Sequence, residues 1–582
     1  MGKRRRLLAT CLAALPLVLT GCAAIPTTGP VQRGGELRLE REDVGVPFIA
    51  EPPRRGASAG DVVRGFLRAN ADFRNDHETA RLYLAPSARQ RWDPGVGTTV
   101  YERVSDALTV DEAEDGTVVV RATEVARISL EGSYRRTPEG STVERTFPME
   151  RVGGEWRVAD LEDGLLLSSL DVQETFRQLA LYFLSPFRNT VVPDLVLLPQ
   201  LPGLSTKLVA RLLRGPTGAL RGAVGTAFPQ GTGLDVQSVP VRDGLAIVRL
   251  DETALQADDE AREKMSAQIV WTLKQLGPEI QRVRITAGGE DLVASGVGGV
   301  QPRDSWGTFD PDSVPGDPSA YFVSDGAVGR LIEGEFQPVD GTSGTGEPAL
   351  RTPGISLDAR RIAAVSADGT TLLVGRLADD AALEPVASGG DLSRPSWDPL
   401  GNLWFIDRAA GHLLLLPNGG TRAIRVGLPR LPAGTPTVVA VSRDGARLAL
   451  VSGEGRQARA VVGALTGVEL AEGDDTDEGA VTVTAVREVM PDVRGVRDVS
   501  WSDATRMVVL GSSQGLPAQP LYVTVDGYDI EEVEPQQGLA TLAAGPQASP
   551  LIGATRSGRL VQFVSGRGWV ILGGGVDPAY PG

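Results

Sequence analysis

The C-terminal half of the chain repeats itself, and a repeat of this length restricts the fold more than any other feature. From about residue 310, a small or aromatic residue is followed six positions later by the start of an apolar run. The pairs are Ser356 and Ile362, Trp397 and Leu403, Ser442 and Leu448, and Trp501 and Met507, with Gly545 and Leu551 and Pro315 and Tyr321 as looser copies. Counted from Pro315, successive anchors lie 41, 41, 45, 59 and 44 residues apart. A period of about 40–45 residues with four short strands per copy is that of a β-propeller blade. Dividing the stretch from Pro315 to Gly582 by a period of about 44 residues predicts six blades; five or seven also fit, because outer strands and a closing blade are hard to register. In the clearest copy, Ser442-Arg443-Asp444-Gly445-Ala446-Arg447-Leu448, Asp-Gly makes the turn and the apolar run is an inner strand. The long interval holds an acidic insert, Glu472 to Glu478.

At 582 residues the chain has room for about three to five domains. Apolar residues at 41% and charged residues at 23% are ordinary for folded protein. The 74 acidic residues outnumber the 58 basic ones, and the net charge of −16 disfavours nucleic-acid binding, which needs Lys and Arg to neutralise phosphates. The only lysines are Lys3, Lys207, Lys264 and Lys274, so the basic residues are overwhelmingly Arg, a bias expected of a GC-rich genome. The two His (His77, His412) and two Cys (Cys11, Cys22) are too few for a Cys/His metal cluster, and neither His has a visible catalytic partner.

The N-terminus sets the compartment. Lys3-Arg4-Arg5-Arg6 is a basic n-region, and Leu7 to Leu19 is an apolar stretch too short to span a bilayer. It ends in Leu19-Thr20-Gly21-Cys22, which resembles the bacterial lipobox. That resemblance implies cleavage before Cys22 and lipidation of its thiol. One acyl chain binds marginally, whereas the two chains of a diacylglyceryl thioether anchor permanently, each buried CH₂ adding about 0.8 kcal/mol. No later stretch reaches 18 apolar residues, so no other membrane anchor is expected.

Residues 22–56 are rich in Pro, Gly and charge and read as a flexible tether. Residues 57–165 read as an α+β domain. Ser58-Ala59-Gly60-Asp61 opens a helix burying Val62, Val63, Phe66 and Leu67; a second helical patch surrounds Leu82 to Leu84; strands follow at Val118–Val120 and Val125–Leu130; and Gly153-Gly154 turns a hairpin. Residues 166–189 read as a connector helix, opened by Asp171-Val172-Gln173-Glu174 and carrying Phe176, Leu179, Ala180 and Phe183. Residues 190–300 form a second α+β unit. It comprises a helix capped by Ser205 and stopped by Gly215-Pro216, a hairpin at Asp243-Gly244, a long helix with Met265, Ile269 and Leu273 on one face, and a strand through Val283 and Ile285. Residues 301–582 are the propeller.

Candidate chemistry is sparse. Gly511-Ser512-Ser513-Gln514-Gly515 matches G-x-S-x-G, but no His follows position 412 to serve as its base. The acidic insert lacks the Gly and Glu spacing of a Ca²⁺ loop and reads as solvated. Ser366-Ala367-Asp368-Gly369 reads as a β-turn, and His412 as a strand start. We therefore expect no catalytic residue, no cofactor and no metal, and assign one modified residue, Cys22.

Several segments resemble known families. Helices followed by a curved sheet in 57–165 resemble the NTF2-like cone, which in some members holds a ligand. Leu213-Arg214-Gly215-Pro216, Pro229-Gln230-Gly231-Thr232, Asp243-Gly244, Val270-Trp271-Thr272-Leu273 and Val283-Arg284-Ile285 resemble the GerMN domain of spore-germination and cell-envelope proteins. The Ser442 copy resembles the repeat of TolB-like propellers. The whole order, from lipobox to the terminal Asp577-Pro578-Ala579-Tyr580-Pro581-Gly582, resembles the actinobacterial LpqB lipoproteins. That resemblance implies a protein on the outer face of the cell membrane. It further implies contact with the extracytoplasmic domain of a sensor kinase of the MtrB type, tuning two-component signalling over cell-wall metabolism and division. A different class of function also fits the residues: an envelope protein that binds or processes cell-wall glycan.

Overall fold

Six four-stranded antiparallel sheets follow one another through the C-terminal half of the computed structural model. The structure describes residues 50–103, 108–185, 190–294, 297–314, 319–332, 335–378, 381–468, 480–513, 515–546 and 549–582. Cys22, Pro315, the acidic insert and Gln514 lie outside the described residues.

The six sheets are propeller blades, in agreement with the repeat. The apolar anchors Ile362, Leu403, Leu448 and Met507 are fully buried near the start of each blade's second strand. The residues six positions earlier shape the turn into that strand. Ser442 Oγ accepts from the Arg447 amide at 3.0 Å while the Asp444 carboxylate accepts from Ala446 N at 2.9 Å. Where the anchor is Trp, its indole reaches into the preceding blade. Trp397 Nε1 donates to the Gly354 carbonyl at 3.0 Å, and Trp501 Nε1 to that of Ala440 at 2.9 Å.

The first blade is composite. Tyr321–Ser324, Ala327–Ile332 and Glu335–Pro338 are joined by Val576–Ala579 from the chain's end, which pairs with Tyr321–Ser324. This last strand takes the axial position expected near Pro315 and lies beside the first strands of blades two and six, so the two ends of the domain close the ring.

In the N-terminal domain, helix Ala59–Ala69 is capped by Ser58, whose hydroxyl accepts from Asp61 N, and buries Val62, Val63, Phe66 and Leu67 as expected. One strand, Val118–Ser129, replaces the two expected. It pairs with Leu108–Glu112 and Thr142–Phe147 along one half and with Gly97–Tyr101 and Tyr134–Arg136 along the other. Phe66 meets Trp92 and Phe147 edge-on at 5.3 and 6.1 Å and packs the core between helix and sheet. The Gly153-Gly154 hairpin forms as expected. The second helical patch is split in two: Glu78–Arg81 and Pro86–Arg91 are helical, while Leu84 between them bridges to Val158.

Two segment boundaries differ from the sequence reading. The tether ends earlier, because Ala50–Gly56 is tied to the N-terminal domain: Tyr83 Oη donates to the Glu51 carbonyl and Gly56 N to the Glu155 carboxylate, both at 2.8 Å. The connector helix covers only Ser169–Thr175, opened by a capping box of Ser168 and Asp171. Phe176, Leu179, Ala180 and Phe183 instead lie on strand Phe176–Leu184, paired throughout with Val191–Pro199. Both faces of this ribbon are apolar because both are covered, and a strand buried twice reads much like a buried helix.

The GerMN-like unit is a crossover. Leu245–Leu250 and Arg282–Ala287 are parallel neighbours linked by helix Asp259–Lys274, with the Asp243-Gly244 hairpin at one edge. Helix Leu204–Leu213 starts at Gly203 rather than at Ser205, whose hydroxyl donates to the Val239 carbonyl at 2.8 Å.

Candidate functional site

The ribbon Phe176–Leu184/Val191–Pro199 joins the GerMN-like unit to the propeller, and a set of buried polar contacts gathers there. One side bonds helix Asp259–Lys274: Tyr182 N donates to Thr272 Oγ1 at 3.1 Å, and Gln275 accepts from Ala180 N at 2.7 Å. On the other side Ala180 and Leu195 enter a core with Val451, Val462 and Trp501 of blades four and five. Ser185 Oγ donates to the Asp444 carbonyl at 3.0 Å, and Gln178 Nε2 to the Asp526 carboxylate at 2.8 Å. Buried Arg447 donates to the Pro193 carbonyl and to Asp444. Asp194 is buried on the ribbon and takes the Thr217 amide at 2.6 Å and hydroxyl at 2.9 Å, while burial raises its pKa. Asp194, Asp444, Arg447 and Asp526 each have a partner, which is what makes burying them tolerable.

The propeller axis is not an open tunnel. The first strands of the blades enclose about 50 Å³, room for little more than one or two waters. Arg443 donates to the carbonyls of Trp501, Ala544 and Pro581 at 3.2, 3.3 and 3.4 Å, and burial lowers its pKa to about 10. Burial together with Asp503 raises Asp312 to about 7, and its carboxylate accepts from Ala504 N at 2.7 Å. Arg394 pairs with the buried Asp498 at 2.6 Å.

Sequence candidates for chemistry fall into structural roles. Ser512 and Ser513 end strand Arg506–Ser513, with no helix after them. Asp368 accepts from Thr370 N at 3.0 Å, and Gly369 N donates to the Ser366 carbonyl at 2.8 Å, a β-turn as expected. His412 starts strand His412–Leu416. His77 precedes helix Glu78–Arg81 in a left-handed conformation (φ 58°), its ring 4.8 Å from Phe73 and 5.9 Å from Trp92. Burial lowers its pKa to about 4, so it is neutral at physiological pH. Among the described residues no three His, Cys, Asp or Glu gather as metal ligands, and no helix is long and apolar enough to cross a membrane.

What remains for recognition is surface. The large apolar side chains exposed among the described residues are all Leu, Val or Ile, and Val236, Val241, Leu255, Val293 and Val300 lie in the GerMN-like unit. The sequence did not point to a second feature, an arginine-lined cleft of about 830 Å³ where the N-terminal domain meets blade four. Its residues come from segments about 300 positions apart, so no local motif could announce it.

Residues 52–173 match the family model of the lipoprotein LpqB N-terminal domain, and residues 326–581 that of the lipoprotein LpqB beta-propeller domain. Residues 180–293 match the model described as sporulation and spore germination. Lipoprotein LpqB of Thermobifida fusca is 32% identical, covering 98% of each chain. Lipoprotein LpqB of Streptomyces coelicolor is 31% identical over 100% of this chain and 99% of that one. Among solved structures, TolB from Acinetobacter baumannii is 16% identical with a TM-score of 0.36, over 46% of this chain and 68% of that one. With near-complete coverage by such relatives, the chain belongs to the LpqB family of actinobacterial envelope lipoproteins.

Proposed function

We propose that the protein is held on the outer face of the cell membrane by lipid on Cys22, binds the extracytoplasmic domain of an MtrB-like sensor kinase, and shifts that kinase between its signalling states without turnover of its own. The observation that carries this reading is the GerMN-like unit. It is fastened to the propeller by the ribbon yet leaves Val293 and Val300 54% and 41% exposed. Exposed aliphatic side chains suit a protein partner, whereas sugar rings are usually met by aromatic faces. Modulation needs only a difference in affinity for two kinase states: about 1–3 kcal/mol of coupling changes the equilibrium roughly 5–150-fold. Sharing one membrane raises the effective concentration of both partners, so a weak contact suffices.

The test is photo-crosslinking from positions 293 and 300 in native membranes. A crosslink from position 293 to the kinase's extracytoplasmic domain, lost when Val300→Asp is introduced, is expected. Crosslinking to cell-wall glycan instead would promote the alternative, a glycan-binding envelope protein.

A further inference from the structure

Four arginines line one cleft, and none of them forms an ion pair among the described residues. Arg135 and Arg136 belong to strand Tyr134–Arg136 of the N-terminal domain, Arg430 precedes the first strand of blade four, and Arg487 lies on that blade's outermost strand. None of the four has a hydrogen-bond acceptor or ion-pair partner among the described residues, in a chain that carries 74 acidic groups. The other charges in the wall do not serve them. Glu124 is held by Arg127 through two hydrogen bonds of 2.5 and 3.0 Å. Glu488 is in the field of Arg459 and Arg494. Burial lowers the pKa of Arg487; Asp526 and Asp194 oppose that shift from a distance without pairing with it, and Arg447 and Arg135 add to it.

The N-terminal wall is fixed to blade five, next to the blade-four wall, independently of these four arginines. Tyr134 meets Tyr528 of blade five edge-on at 5.2 Å, and Arg494 pairs with Glu139 at 2.9 Å. The cleft is therefore a formed feature, and its volume of about 830 Å³ lies within the roughly 300–1,000 Å³ of small-molecule sites.

We propose that this cleft binds a ligand carrying two phosphate groups, clamped between the N-terminal domain and blade four. Guanidinium forks match phosphate oxygens in pairs, and each phosphate monoester carries a charge of about −1.5 to −2. Two such groups balance four unpaired arginines, whereas a single carboxylate or phosphate leaves most of the repulsion in place. A soluble bisphosphate and a lipid headgroup with two phosphodiesters offer the guanidinium forks the same kind of oxygen, the diesters with about half the charge.

The test is calorimetric titration of the lipidated full-length protein in non-ionic detergent, with fructose 1,6-bisphosphate in one arm and cardiolipin in the same detergent in the other. Binding of at least one probe is expected, weakened roughly tenfold or more by Arg487→Met and by Arg430→Ala, in line with the loss of a charge-assisted hydrogen bond. Arg376→Ala, at an exposed position on blade two, should leave it unchanged. Arg430 is exposed on a loop, so its variant keeps the test valid if Arg487→Met fails to fold. The arm that shows the effect identifies the source of the phosphates. Failure of both probes to bind, or binding that survives both substitutions, would overturn the proposal.

Discussion

Trp501 and Trp397 each do two jobs: the ring fills the space between blades, and the indole N–H satisfies a carbonyl of the neighbouring blade. Trp501→Phe keeps most of the ring and leaves the Ala440 carbonyl without its donor. The expected cost is about 1–3 kcal/mol, read as a lower urea midpoint with an unchanged slope. A stability equal to that of the parent would remove this contact from the account. His77 is the residue that most directly couples the fold to pH. Its pKa is about 4 in the folded chain, against about 6.5 unfolded. A base whose pKa falls on folding stabilises the protein above about pH 6.5, and that contribution is lost as pH drops toward 4. The shift corresponds to roughly 3 kcal/mol across that window. His77→Asn, which tolerates the left-handed backbone, should flatten the acid limb of a stability-against-pH curve. An acid limb of unchanged steepness would assign it instead to carboxylates whose pKa the fold lowers, such as Asp72 beside Arg74.

The closing strand decides whether the propeller is a ring. Without Val576–Ala579 the first blade has three strands, and the edge of Tyr321–Ser324 is bare on its axial side. Such edges pair with other chains. A chain ending at residue 575 should elute as oligomers or aggregate, whereas a monomer with parental stability would rule out closure by this strand. Elements with local rules were legible from sequence: the Ser58 cap, the Gly153-Gly154 and Asp243-Gly244 hairpins, and the recurring Ser or Trp anchors. The closing strand was not, because its partner lies some 250 residues away and nothing local marks it. Strand Phe176–Leu184 was mistaken for helix for a different reason. Phe176, Leu179, Ala180 and Phe183 satisfy a helical period, and only the pairing with Val191–Pro199 reveals that both faces are covered.

At the scale of the whole molecule, a ribbon buried on both sides ties the GerMN-like unit to the propeller, and the N-terminal domain rests on blades four and five. A ligand or partner that grips one unit can thus bias the others. The arginine cleft belongs to this scale: Arg135 and Arg487 come together only once the N-terminal domain and the propeller have assembled, which is why the sequence did not announce it. The membrane attachment is testable separately. Cys22→Ala should leave the folded domains intact while the protein appears in the soluble fraction or stalls with its signal peptide attached, and full retention after a salt wash would refute the lipid anchor. The central claim, that the anchored protein tunes a kinase by binding, is tested most directly in vesicles. The MtrB-like kinase is reconstituted with and without the lipidated protein, and autophosphorylation is followed over time. The account predicts a rate changed by about fivefold or more, abolished by Val293→Asp/Val300→Asp. An unchanged rate, together with release of soluble fragments from purified cell wall, would contradict it.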